Sequence, residues 1–248
     1  MGLKKHIPNT ITLMNLLCGS IAVIFALKGW QIFAVYLILT AALMDFLDGF
    51  SARMLKAYSN IGKELDSLAD LISFGLAPSL LLYSRFSSYL SGMHITPVLE
   101  LLSFTPLLIT LASALRLAIF NIDTRQTVTF IGMPTPANAL LISMLIHFTV
   151  YDNSLDTTLN SLWFIPLLSL AVSYLLISNI PMFSLKIKGL SYSENKKIYL
   201  FLIISALIIL PIVISGKIWS LAILLLFVIY ILFNSLTFVI ESITKKRI

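Results

Sequence analysis

Long apolar runs alternate with short polar connections along this chain, near residues 8–27, 31–55, 66–84, 98–120, 134–151, 161–181, 197–214 and 218–241. Each approaches the ~20 residues that a helix needs to cross the hydrocarbon core of a bilayer. Backbone exposed to lipid must satisfy its own hydrogen bonds, so runs this long and apolar predict helices rather than strands. The pattern predicts an all-α, polytopic membrane helical bundle of about eight transmembrane helices, forming one domain over residues 1–248. The last two runs, within 197–241, carry almost no polar residues and read as structural spans.

Composition agrees: 58% of the residues are hydrophobic and 11% charged, whereas a soluble domain carries about 25% charged residues. The net charge of +6 does not indicate nucleic acid, because the basic residues lie in short clusters between apolar runs. With the amino terminus placed in the cytoplasm, 14 of the 17 Lys and Arg fall on that side, and only Lys28, Arg85 and Lys217 on the other. By the positive-inside rule both termini are expected in the cytoplasm, of a cell inner or cytoplasmic membrane, with an even number of spans. Cys18 is the single cysteine, which excludes an intrachain disulfide and makes a cysteine-rich zinc site implausible.

The second and third runs break the apolar pattern. They contain Met44-Asp45-Phe46-Leu47-Asp48-Gly49-Phe50-Ser51-Ala52-Arg53 and then Gly62-Lys63-Glu64-Leu65-Asp66-Ser67-Leu68-Ala69-Asp70. An aspartate in an apolar helix is costly unless it is paired, solvated or bound to a cation. Asp45 and Asp48 are three apart, and Asp66 and Asp70 four apart, so on helices each pair projects from one face. A short connection over 56–60 makes the two helices antiparallel neighbours, and four carboxylates should converge on one pocket. They repel unless positive charge joins them, and hard divalent cations with oxygen ligands are the natural partner. Pairing with Arg53, Lys56 and Lys63, or a proton relay, is the plainer alternative. Gly49 and Gly62 remove bulk beside the carboxylates, where a ligand can approach the backbone.

Eight of these positions match a specific signature. Asp45, two residues, Asp48-Gly49, two residues, Ala52-Arg53, eight residues, Gly62, three residues, Asp66, three residues and Asp70 resemble the motif of the CDP-alcohol phosphotransferase family. The resemblance implies a six-helix catalytic core and an active site at the cytoplasmic membrane surface. It makes Asp45, Asp48 and Asp66 ligands of two divalent cations, Mg²⁺ or Mn²⁺, with Asp70 also touching the metal centre and serving as general base. It further implies that Gly49, Ala52 and Arg53, with Ser59, line the cytidine diphosphate pocket, and that the enzyme is a homodimer.

Ile7-Pro8-Asn9-Thr10-Ile11-Thr12-Leu13-Met14-Asn15 opens the first run with Asn9, Thr12 and Asn15 on one helical face. Pro8 and Asn9 fall where family members contact the nucleotide, while Thr12 and Asn15 fit either a ligand contact or interhelical hydrogen bonds. Three other segments narrow the resemblance over residues 7–140. Leu65 to Pro78, Ser113-Ala114-Leu115-Arg116-Leu117-Ala118-Ile119-Phe120-Asn121 and Phe130-Ile131-Gly132-Met133-Pro134-Thr135-Pro136-Ala137 resemble the membrane-embedded phosphatidylserine synthases. That likeness implies transfer of a phosphatidyl group from CDP-diacylglycerol to L-serine, giving phosphatidylserine and CMP. Serine brings a carboxylate and an ammonium; Arg116 and Arg125 are candidates to bind the carboxylate and Asn121 to orient it, although both arginines also fit ordinary positive-inside residues.

The same chemistry on glycerol 3-phosphate or inositol phosphate is the alternative within the family. An ion-coupled secondary transporter is the rival from another class, but it calls for repeated halves and charges spread over a central cavity. A prenyltransferase of the kind that holds Mg²⁺-pyrophosphate carries two aspartate-rich motifs far apart. Here all four aspartates lie between Asp45 and Asp70.

Overall fold

The computed structural model describes residues 6–94, 96–122, 130–182 and 192–245. Its helices are α1 (His6–Leu27), α2 (Gln31–Met54), α3 (Asn60–Asp70), a π-helical segment (Leu71–Leu76), α4 (Ala77–Leu90), α5 (Pro97–Ser103), α6 (Leu107–Ile122), α7 (Thr135–Tyr151), a short α8 (Asp156–Leu159), α9 (Phe164–Ile177), α10 (Tyr192–Ile214) and α11 (Trp219–Lys245). Five stretches are long and apolar enough to cross a membrane: α1, α2, Asn60–Leu90, Pro97–Ile122 and Trp219–Thr244. Three shorter apolar helices, Thr135–Tyr151, Phe164–Ile177 and Ile198–Ile214, complete the pattern of eight. The protein is an all-α polytopic membrane bundle. Large apolar side chains such as Leu232, Leu236 and Ile240 lie exposed along α11, as expected of surfaces solvated by lipid.

α1 and α2 form a tightly packed hairpin. Small residues accompany this packing: Ala22 and Ala26 of α1 are buried, as are Ala34 and Ala41 of α2, while Gly19 lets α1 close on Ser73 of the third stretch. Without bulky side chains at the seam, two helix backbones approach closely and gain dispersion contacts that lipid cannot replace. Behind the hairpin, Phe74, Leu81, Leu82 and Phe86 of the third stretch join Ile109 of α6 and Ile142 and Ile146 of α7 in the core. On the flank, α11 packs on α7, with Trp219 4.6 Å from the ring of His147, whose Nε2 is 3.4 Å from the Tyr36 hydroxyl.

The third stretch starts earlier than the apolar pattern suggests, at Asn60 rather than near residue 66. Ser59 is the reason: its extended backbone ends the preceding loop, and its hydroxyl accepts a hydrogen bond from the Gly62 N–H at 3.0 Å, capping one of the free donors of the helix start. The continuous Asn60–Leu90 stretch has 31 residues. At 1.5 Å per residue it is about 46 Å long, exceeding the roughly 30 Å hydrocarbon core. The stretch is thus longer than the core, and α3 is its polar end, where hydrocarbon is least tolerated.

Immediately after Asp70 the helix widens into the π segment. Pro78 has no N–H to give to the carbonyl four residues back, and its ring crowds that carbonyl. The Ala77 N–H instead reaches Ile72 O, five residues back. Hydroxyls cover carbonyls of the loosened turn: Ser79 Oγ donates to Leu76 O at 3.0 Å and Thr110 Oγ1 to Gly75 O at 3.4 Å.

The sixth apolar run ends at Ile177, short of the expected residue 181, because the chain turns into a two-residue strand β2 (Pro181–Met182) that pairs antiparallel with β1 (Phe130–Ile131). Gly132 makes the junction possible. Its φ is +76°, and a Cβ there would lie 2.7 Å from Leu176 O and 2.9 Å from Ser178 O. Gly132→Ala should cost about 1–3 kcal/mol, the range for a non-glycine residue held in the left-handed region. The readout is a lower heat-unfolding midpoint of the protein in detergent; an unchanged midpoint would contradict the close approach.

Candidate active site

α1, α2 and α3 meet where the polar residues gather. Oxygen atoms of Asp45, Asp48 and Asp66 all lie within 4.8 Å of one another. Asp48 is buried, and these residues also carry two buried oxygens, Asp48 Oδ2 and Asp66 Oδ1, with no hydrogen-bond partner. Stranded carboxylate oxygens that close are what a hard divalent cation would satisfy, and the donor set is all oxygen. The residues thus fit a metal ion.

The fourth carboxylate is set apart from this triad. Asp70 closes α3, one turn beyond Asp66 or about 6 Å along the axis. Its Oδ1 accepts a hydrogen bond from Asn15 Nδ2 at 3.3 Å, and it is within electrostatic reach of Asp45, Asp66 and Asp48. Three of the four expected ligands converge tightly, and the fourth is drawn toward α1. Asn15 is itself fully buried, and its backbone carbonyl accepts from Ser73 Oγ of the π segment at 3.0 Å. It serves as an interhelical clasp, with its side-chain Oδ1 left unpartnered.

A cavity of about 220 Å³ opens beside the triad, lined from α1 by Pro8, Asn9 and Thr12, from α2 by Asp48, Gly49 and Ala52, and from α3 and its cap by Ser59, Gly62 and Asp66. Of the six positions that the resemblance places at the nucleotide, Pro8, Asn9, Gly49, Ala52 and Ser59 are in this wall, and Arg53 is not. Arg53 stands next to it, with Nη1 3.9 Å from where a Cβ on Gly49 would be. That position is otherwise open, so a larger side chain at 49 would enter the cavity. A Cβ on Gly62 would instead lie 2.9 Å from Asn9 Oδ1 and from Ser59 Oγ. Gly62 thus lets α1 close on the helix start, in addition to leaving the wall free of bulk.

Ala57, Tyr58 and Lys63 also line the cavity and were not singled out by the motif. Lys56 has φ 51°, and that left-handed kink turns the loop so that its next residues face inward. Lys63 Nζ donates to Asn121 O at 2.8 Å, so its ammonium is held by α6 rather than by the triad. That weakens the alternative in which lysines neutralise the aspartates.

The acceptor candidates divide. Arg116 is buried, its Nη1 donates to Thr135 Oγ1 at 3.2 Å, and its charge interacts with Asp70. Asn121 Nδ2 donates to Ser67 Oγ at 2.9 Å, so its amide nitrogen ties α6 to the helix carrying Asp66 and Asp70. Arg125 lies outside the described residues.

A family model for the CDP-alcohol phosphatidyltransferases matches residues 5–175. The chain belongs to the CDP-alcohol phosphatidyltransferase family. The matched residues run from α1 almost to the end of α9, leaving α10 and α11 outside. Curated relatives named CDP-diacylglycerol–serine O-phosphatidyltransferase are similar to it. The one from Bacillus subtilis is 39% identical over 57% of this chain and 75% of its own length. The one from Mycobacterium leprae is 37% identical over 71% of this chain and 57% of its own. The one from Methanocaldococcus jannaschii is 35% identical over 55% and 58% respectively. The matches thus span three quarters of the Bacillus relative but under two thirds of the other two. This family member is a membrane-embedded phosphotransferase acting on a CDP-alcohol.

Proposed function

We propose that the protein transfers the phosphatidyl group of CDP-diacylglycerol to L-serine, releasing CMP. The observation that carries this reading is one cavity that gathers Pro8, Asn9, Gly49, Ala52 and Ser59, five of the six positions implied for the nucleotide, beside three converging carboxylates. The names of its relatives support serine as the acceptor.

In this reading Asn9, Gly49, Ala52, Ser59 and Gly62 receive the cytidine diphosphate group, and Arg53 at the cavity edge holds phosphate oxygens in its planar fork. Asp45, Asp48 and Asp66, with Asp70 at their side, would hold two divalent cations, Mg²⁺ or Mn²⁺. Bound there, the cations would draw charge from the phosphorus and stabilise the leaving CMP. Asp70 is the general base: Asn15 holds Oδ1, and the carboxylate takes the proton of the serine hydroxyl. The serine oxygen forms a bond to the β-phosphorus of the CDP-lipid as the pyrophosphate P–O bond breaks, with the electron pair leaving on CMP. Arg116, together with Asn121 and Arg125, belongs to the acceptor side. The 14 to 3 split of basic residues supports placing this site and both termini on the cytoplasmic side.

The test is CMP release by purified protein with CDP-diacylglycerol and Mg²⁺, supplied in turn with L-serine, glycerol 3-phosphate or inositol phosphate. Release with serine alone is expected. Release with one of the others instead would overturn the acceptor, and no release from folded protein with any acceptor would favour the transporter reading.

A further inference from the structure

Beneath Arg116 the bundle buries polar groups that neither packing nor the metal triad uses. Asn138, in the first turns of α7, is fully buried, and both Oδ1 and Nδ2 lack a hydrogen-bond partner. Ser113 of α6 is also fully buried with an unpartnered Oγ, and so is the buried Nε of Arg116. Leaving a buried amide, hydroxyl and guanidinium nitrogen unpaired is costly when an apolar side chain would fill the same space.

The helix arrangement brings these groups to one level of the bundle. Arg116 meets Thr135 across the α6–α7 contact. Consecutive spans run in opposite senses, so Asn138, one turn further into α7, falls at the level of Ser113, one turn back along α6. Ser113 abuts the π segment, where a Cβ on Gly75 would lie 3.0 Å from Ser113 Cβ, and α7 packs on the same segment. That segment continues directly from Asp70.

We propose that Asn138 is a specificity-determining residue of the acceptor site, recognising the amino-acid end of a small zwitterionic alcohol whose hydroxyl lies at Asp70. The inference deepens the reading above and rests on it. A carboxamide offers a donor and an acceptor side by side, matching a carboxylate and an ammonium on one carbon. The free Nε of Arg116 supplies the positive charge that the carboxylate needs. The Ser113 hydroxyl adds a donor or acceptor at the same depth. An acceptor whose second group is a phosphate has no use for an uncharged carbonyl oxygen here.

The experiment compares the full-length protein with Asn138→Leu and Asn138→Ser in detergent, measuring kcat and KM for L-serine by CMP release and CDP-diacylglycerol affinity by calorimetry. The acceptor panel adds ethanolamine, which lacks the carboxylate, and 3-hydroxypropanoate, which lacks the ammonium. Losing hydrogen bonds to charged partners should raise the serine KM about 10- to 100-fold in both variants. CDP-lipid affinity should stay unchanged, and Asn138→Leu should narrow the preference for serine over ethanolamine and 3-hydroxypropanoate. A serine KM equal to that of the wild type overturns the assignment, most clearly if Asn138→Leu also raises the unfolding midpoint. Loss of CDP-lipid binding in both variants overturns it as well, by making Asn138 a folding residue. Failure of the wild-type protein to use serine at all is a separate result, which removes the proposed function and this inference with it.

Discussion

Asp70→Asn should lower kcat for CMP release about 10²- to 10⁴-fold, the range for removing a general base, while CDP-lipid affinity stays close to that of the wild type. The substitution keeps shape and volume, and the amide can still meet Asn15, whose Nδ2 now bonds Asp70 Oδ1 at 3.3 Å. What it removes is the ability to take a proton. Asp70 is not among the residues lining the CDP cavity and stands outside the tight triad, so binding and proton transfer should separate in this variant. Steady-state kinetics with calorimetry on the same preparation checks the split. A kcat within a few-fold of wild type would remove Asp70 as the base, and a parallel collapse of CDP-lipid affinity would recast it as part of the binding site.

Chelation should have an effect of comparable size. Asp45, Asp48 and Asp66, each with a carboxylate oxygen within 4.8 Å of the others and two of them with an unpartnered buried oxygen, form a cluster that binding of a phosphate-bearing substrate would make still more negative. Withdrawing divalent cations with EDTA should therefore lower turnover by about 10²- to 10⁴-fold, several kcal/mol of lost charge stabilisation, with recovery on adding Mg²⁺ or Mn²⁺. Asp66→Ala should raise the cation concentration needed for half-maximal rate. Full activity in EDTA would contradict the assignment of the triad, and would return the carboxylates to pairing with basic side chains.

Much of this architecture is legible in the sequence because lipid imposes a simple rule on it. The eight apolar runs become five helical stretches long enough to cross a membrane and three shorter apolar helices, since lipid-exposed backbone must be internally hydrogen bonded. The exceptions arise where a side chain or a proline decides a local hydrogen bond. The start of α3 at Asn60 depends on Ser59 accepting from Gly62, inside a segment too polar to register as part of a span. The π segment depends on Pro78, whose missing N–H shifts the ladder to Ala77 and Ile72; the apolar pattern of Leu71–Leu76 carries no trace of it. The early end of α9 depends on the fit of Gly132 against Leu176 and Ser178, a contact between residues far apart in the chain.

The site divides along the same line. The wall on α1, α2 and α3 was readable through the family resemblance, while helical periodicity put each aspartate pair on one face, and Asp45, Asp48 and Asp66 meet. Asp70 departs because its oxygen is claimed by Asn15 across a helix boundary. Tyr58 reaches the cavity from the loop that follows the kink at Lys56, which no spacing rule encodes. On the acceptor side, Arg116 was visible as a charge in an apolar helix, whereas its anchor Thr135 and the unpaired Asn138 become notable only once burial is known.

The most direct test of the account is to supply the purified protein with CDP-diacylglycerol, Mg²⁺ and isotopically labelled L-serine, and to measure label entering the lipid phase against CMP formed. Equal molar amounts of labelled phosphatidylserine and CMP, with neither formed when serine is omitted, are predicted. CMP formed without label in lipid, or label transfer without CMP, would contradict direct transfer of the phosphatidyl group to serine at this site.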